Sequence, residues 1–294
     1  MARPRPIPMA LPETSPNQMT FWEHLQELRV RLVRSLLGVI AAFAITYSFP
    51  FGLQDHLAFL KGMPPLRFKL MEWAQAPFMA VYKSHSIAQA KAMGLPIPTV
   101  FDPFSYTNLT EPFFSLMRLS LWAAAFLVAP FLFYQVWSFI RPGLYARERR
   151  WAIPFVVITS ACFVLGAVFA YYNAFKFLGD ILFQEAMSAG LRTNLHLDDY
   201  LDLFIYTVVG TGLMFEMPVL VFFLARFRLV SAKWMLKYWR HATIVIVLAS
   251  AFLTPGDVVV TTIFFSVILL GLYLVSVAVA WLAAPRAKPS NPEA

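Results

Sequence analysis

The sequence predicts an all-α membrane protein with six transmembrane helices and both termini on the cytoplasmic side. Three observations carry that expectation. Of the 294 residues, 59% are hydrophobic and only 14% charged, with a mean hydropathy of +0.63. A soluble domain carries about 25% charged residues, so this composition leaves too little polar surface to cover one. Long stretches free of Asp, Glu, Lys, Arg and His recur along the chain, and ~20 apolar residues cross ~30 Å of hydrocarbon as a helix. The Lys and Arg residues divide sixteen to eight between the two sides of the resulting topology, which places the richer side in the cytoplasm. The net charge of +8 is then a topology signal, and no nucleic-acid partner is expected.

Each element follows in order. Residues 1–19 are Pro-rich and expected to be a disordered tail. Thr20 and Glu23 form a capping box that opens a helix with Leu25, Leu28, Leu32 and Leu36 at helical spacing, an amphipathic lead-in continuous with a first span at about 30–54. An outer loop over 51–110 follows, with Met79, Tyr82 and Ile87 among Lys83, His85 and Lys91 suggesting a short surface helix over 76–94. Further spans are expected at about 113–140, 149–176, 201–225, 240–254 and 258–284, all in a single domain, 20–285, before a cytoplasmic tail, 286–294. The charge-free run 242–254 covers only about 20 Å, so the fifth span is short and forms a hairpin with the sixth through Thr254-Pro255-Gly256-Asp257.

Enzyme signatures are scarce. The histidines are scattered, there is no His-Glu-x-x-His, phosphate loop or dinucleotide fingerprint, and one cysteine, Cys162, allows neither an intrachain disulfide nor a thiolate cluster. No metal, cofactor or catalytic residue is expected. Attention falls on acids at particular depths. Glu27 lies one turn from both Glu23 and Arg31, which fits either a paired, solvated helix face or an acceptor for a cationic ligand. Glu148 falls in the first turn of a helix on an otherwise basic face, where it either complements the helix dipole or marks a site for a positively charged peptide. Glu216 lies near the middle of its span beside Pro218; an ionised group there costs at least ~2.5 kcal/mol, so it faces protein or water, as a structural acid or in a transport path. Asp257 either caps the last helix or serves a site in its turn.

Five stretches in order then resemble a known family, TatC, the polytopic subunit of the twin-arginine protein translocase. They are His24-Leu-Gln-Glu-Leu-Arg-Val-Arg-Leu, Ala129-Pro-Phe-Leu-Phe-Tyr-Gln-Val-Trp-Ser-Phe-Ile-Arg-Pro-Gly-Leu-Tyr with Glu148-Arg-Arg, Phe169-Ala-Tyr-Tyr, Phe215-Glu-Met-Pro and Leu253-Thr-Pro-Gly-Asp. The resemblance implies a six-helix, cup-like bundle in the cytoplasmic (inner) membrane of a prokaryote, with two short final helices. It implies recognition of twin-arginine signal peptides on folded cargo, assembly with single-span TatA and TatB-type subunits into an oligomeric complex, and export driven by the proton-motive force. Carried over by position, the signal-binding acids would be Glu27 and Glu148, with Arg29, Phe139, Pro130 and Leu144 shaping the same face. Glu216 would be the intramembrane acid of partner contact, Asp257 the acid of the last outer turn, and Pro77 the first-loop proline. The outer loop 51–110 is longer than usual for the family, and Lys233, Trp234, Lys237 and Trp239 read as an interfacial anchor. The alternative from another class is a proton-coupled small-solute transporter using Glu216, disfavoured because that is the one central ionisable residue.

Overall fold

The structure, a computed structural model, describes residues 21–49, 64–97, 99, 101–140, 152–189, 195–253 and 259–283. Helix α1 (Phe21–Ser48) forms where the leucines recur at helical spacing, with Glu23 in its first turn. Its apolar half packs against α3 (Glu111–Leu127) through small and hydroxyl residues. Ala42 and Thr46 are buried, and the Thr46 hydroxyl donates to the Ser120 carbonyl at 2.8 Å. Lipid tails are as apolar as leucine, so close backbone approach and interhelical hydrogen bonds, rather than water exclusion, hold such helices together.

Residues 113–140, expected as one span, are divided between α3 and α4 (Ala129–Ile140), whose axes meet at 58°. Pro130 is the cause: it has no N–H for the Phe126 carbonyl and its ring crowds that carbonyl. The Val128 N–H donates to Ala124 at 3.0 Å, and regular bonding resumes with Leu132 N–H to Val128 at 2.9 Å. Helix α5 (Ala152–Phe169), a π turn (Ala170–Ala174) and α6 (Phe175–Ser188) form one run. Its apolar span Ile153–Ala186, 34 residues, is about 50 Å long, more than a bilayer core needs, so α6 continues past the expected end near 176. Helices α7 (Leu197–Met214) and α8 (Met217–Arg226) are separated by a turn at Phe215 and Glu216, where Pro218 denies the Met214 carbonyl its donor. The chain ends in α9 (Ala232–Lys237), α10 (Trp239–Leu253) and α11 (Val259–Ala283).

By length and composition, Ile153–Ala186, Leu197–Arg226 and Val259–Ala283 can each cross a membrane, and the bent pair α3 and α4 adds a fourth. Trp239–Phe252 is apolar but short. Helix α5 crosses α7 at glycine: a Cβ on Gly166 would lie 2.8 Å from the Thr211 carbonyl oxygen and 2.9 Å from the Gly212 Cα. Helix α11 packs on α8, α9 and α10. The Ser250 and Ser266 hydroxyls meet at 2.6 Å within the α10 and α11 hairpin, and the Tyr273 hydroxyl donates to the Met235 carbonyl at 2.8 Å. Met235 is buried in that contact, whereas Lys233, Trp234, Lys237 and Trp239 are exposed.

The surface helix expected over 76–94 is longer, α2 (Leu66–Met93), and buries Ala74, Phe78, Val81 and Ala90 against the bundle. It ends at Gly94, whose φ of +66° suits glycine. Nearby, β1 (Phe104–Ser105) pairs in parallel with β2 (Leu195–His196), joining the entries to α3 and α7. The Thr107 N–H donates to the Glu111 carboxylate at 2.8 Å. Below these strands, Arg118 of α3 bridges Asp198 and Asp202 of α7, and Ser115 donates to Asp198. Each partner in the ion pairs is at least a third exposed, so the network is screened. Arg118→Ala is expected to cost about 1 kcal/mol, with a melting-temperature drop in detergent that shrinks as salt rises. A drop that is absent at low salt would contradict that role.

Candidate functional site

The N-terminal half of α1 docks on the C-terminal half of α4. His24, Glu27 and Arg31 lie three and four residues apart on one face of α1, and Gln135 and Phe139 lie one turn apart on α4. Arg31 joins the two helices: one guanidinium nitrogen donates to Glu27 Oε1 at 3.1 Å and the other to Gln135 Oε1 at 3.4 Å. The His24 ring stacks on Phe139 with centroids 4.4 Å apart. The paired-helix reading of Glu27 and Arg31 is therefore realised, but it leaves something over. Glu27 Oε2 and Arg31 Nε are buried without a hydrogen-bond partner among the described residues. A carboxylate oxygen in that position is a ready acceptor, because leaving it unpaired costs about 1–3 kcal/mol. A further guanidinium can take Oε2 with Arg31 in place, or both oxygens in fork geometry if Arg31 turns wholly to Gln135.

The other expected residues of this face are distributed more widely. Arg29 is exposed and borders a groove with Gln26, Val30, Val33 and Arg34; two residues from Glu27 is about 200° around the helix, so it stands on the opposite side. Pro130 is exposed at the start of α4, about 13 Å along the axis from Phe139. Leu144 and Glu148 lie outside the described residues, as does Asp257. Sequence reasoning gave Gln135 and His24 no role; the available signal was the Gln135 and Phe139 spacing on the face that α1 covers.

Glu216 occupies the turn between α7 and α8 and is buried. Neither of its carboxylate oxygens has a hydrogen-bond partner among the described residues, and the same holds for the Thr207 and Thr211 hydroxyls one turn apart on α7. Pro218 produces the break that puts the acid there, and the close α5 to α7 crossing brings Phe215 Cβ within 2.9 Å of where a Gly166 Cβ would stand. An acid so placed has no counter-ion among the described residues, and burying it unpaired is costly. Among the described residues there is no group of three or more His, Cys, Asp or Glu that could hold a metal.

A third feature is an apolar cavity of about 500 Å³ between α2, α3, α5 and α7, lined by residues including Trp73, Trp122, Phe126, Tyr171 and Phe204. Pro77 does not line it but sits in the same helix as Trp73, beside a second groove that it shares with Tyr171, Lys176 and Asp180.

Comparison with known proteins adds three findings. The profile of the family described as Sec-independent protein translocase protein (TatC) matches residues 23–284. A TatC protein of Koribacter versatilis is 32% identical over 276 residues, covering 94% of this chain and 90% of that protein. One of Helicobacter pylori strain J99 is 36% identical over 268 residues, 91% of each. A crystal structure of the twin arginine translocase receptor TatC superposes with a TM-score of 0.66 at 26% identity, over 88% of this chain and 99% of the solved one.

Proposed function

Because the chain belongs to the TatC family of Sec-independent protein translocase proteins, we propose that it is the core receptor subunit of a twin-arginine translocase. In this reading it binds twin-arginine signal peptides at its cytoplasmic face and assembles with TatA and TatB-type single-span subunits. Export of folded cargo then draws on the proton-motive force. The family is a non-enzymatic membrane component of protein transport, which also disfavours a proton-coupled small-solute transporter.

The proposal includes six spans with both termini inside, in a single domain of the inner membrane. Helices α1, α3 with α4, α5 with α6, α7 with α8, α10 and α11 would be those spans, and the excess of Lys and Arg on the inner side supports the orientation. Glu27 and Glu148 are the proposed acceptors for the two arginines, with Arg29, Phe139, Pro130 and Leu144 shaping the approach. Glu216 is the proposed contact for a partner helix, and Asp257 the acid of the last outer turn.

The observation that supports signal binding best is the unpaired, buried Glu27 Oε2 beside Gln135 and Phe139. Each charge-assisted bond to an arginine is worth about 1.5–3 kcal/mol, or roughly 10–150-fold in binding. Glu27→Ala and Glu148→Ala are each expected to cut photocrosslinking to a twin-arginine signal peptide in native membranes by about tenfold or more. Undiminished crosslinking in the double variant rejects the assignment.

A further inference from the structure

Pro77 lies in the interior of α2. It has no N–H, so the carbonyl four residues earlier, that of Trp73, loses its helical donor. Another residue supplies one. The Tyr171 hydroxyl donates to the Trp73 carbonyl at 3.0 Å, from 98 positions away in sequence. The Tyr171 ring lies flat on the Trp73 indole, with centroids 4.4 Å and planes 7° apart. Phe204 closes edge-on against both rings, and the Tyr200 hydroxyl takes the next carbonyl, that of Ala74.

Tyr171 belongs to the π turn Ala170–Ala174. Such a turn inserts one residue into the helix, rotating the side chains beyond it by about 100° relative to an unbroken α-helix. Three departures from regular helix, a proline, a π turn and a long-range hydroxyl bond, thus meet at one carbonyl.

We propose that Pro77 and Tyr171 form a matched latch: the proline frees the Trp73 carbonyl, and the π turn delivers the hydroxyl that takes it. The latch fixes α2 against the bundle and so holds Leu70 and Trp73 in the wall of the apolar cavity. Tyr171 is a positioning residue in this account, acting on the site only through α2. The inference is independent of the proposed signal recognition, since it concerns the chain without cargo or partners.

The test is hydrogen exchange on the purified full chain, following the α2 amides in wild type, Tyr171→Phe, Pro77→Ala and the double variant. Tyr171→Phe keeps the ring stack and removes only the hydroxyl, so exchange in α2 is expected to rise by about tenfold. Pro77→Ala restores an N–H beside the Trp73 carbonyl. Adding Tyr171→Phe in that background is therefore expected to change exchange by less than about twofold. A wild-type rate for Tyr171→Phe, or the same increase in both backgrounds, overturns the latch. A second measurement needs no purification: in a Cys162→Ser background, an Ala80→Cys and Lys176→Cys pair across the adjoining groove is bridged by a short bismaleimide in membranes. The bridging yield is expected to fall with Tyr171→Phe and to be unaffected by it when Pro77→Ala is present; a fall in both backgrounds also overturns the latch.

Discussion

Glu216→Ala is expected to abolish export of a twin-arginine reporter while leaving the folded chain as stable as wild type or more so. The two halves of that result have one origin. Both carboxylate oxygens are buried and unpartnered among the described residues, so truncation removes a desolvation cost without removing an internal bond. A structural acid behaves in the opposite way, because losing a satisfied buried carboxylate typically destabilises by 3–5 kcal/mol. Signal-peptide crosslinking is expected to persist in this variant, since Glu216 lies on α7 and α8 rather than on the α1 and α4 face. The measurements are export in cells, crosslinking in membranes and thermal unfolding in detergent. Normal export would reject Glu216 as a partner contact, and a large loss of stability would return it to a structural role.

Gly166→Ala is expected to destabilise by about 1–3 kcal/mol, a large effect for one methyl group. The new Cβ would stand 2.8 Å from the Thr211 carbonyl oxygen and 2.9 Å from both Gly212 Cα and Phe215 Cβ. Two of these are main-chain atoms that no rotamer change can move, so α5 and α7 must separate. Gly271 provides the control, because nothing lies within 4 Å of its added Cβ and alanine is the better helix former by about 1 kcal/mol. Gly271→Ala is therefore expected to be neutral or stabilising. Equal melting temperatures for the two variants would show that the α5 to α7 crossing does not depend on close backbone approach. Because Phe215 adjoins Glu216, the separation is also expected to reduce export.

Much of this was legible locally. Charge-free runs predicted α5 and α11, and a run interrupted by Glu216 predicted α7 with α8; the Glu27 to Arg31 spacing offered an ion pair as one of its two readings; Pro218 stood beside Glu216 within an expected continuous span. Other features depended on partners far along the chain. Nothing local connects Arg31 to Gln135, 104 positions away, or Arg118 to Asp198 and Asp202. Pro130 could be read as a residue of a continuous span; the packing of Phe131 against Gly38, 2.9 Å from an added Cβ, together with the Arg31–Gln135 and His24–Phe139 contacts, shows where the bent segment goes. The sequence suggested a shorter α2 because two of its four buried residues, Ala74 and Ala90 beside Phe78 and Val81, are alanines that carry little hydrophobic signal.

By itself the sequence determined where the chain is apolar enough to leave water and which few acids stand out against that background. Those are properties of composition and short-range spacing, and the bilayer reads them residue by residue. The tertiary structure alone decided which polar groups are satisfied. Glu27 keeps one free oxygen because Arg31 divides itself between two helices, neither oxygen of Glu216 is hydrogen-bonded among the described residues, and the carbonyl freed by Pro77 is taken by Tyr171. In an apolar medium an unpaired polar group costs far more than in water, so what each of these residues can do follows from the partners the fold supplies or withholds.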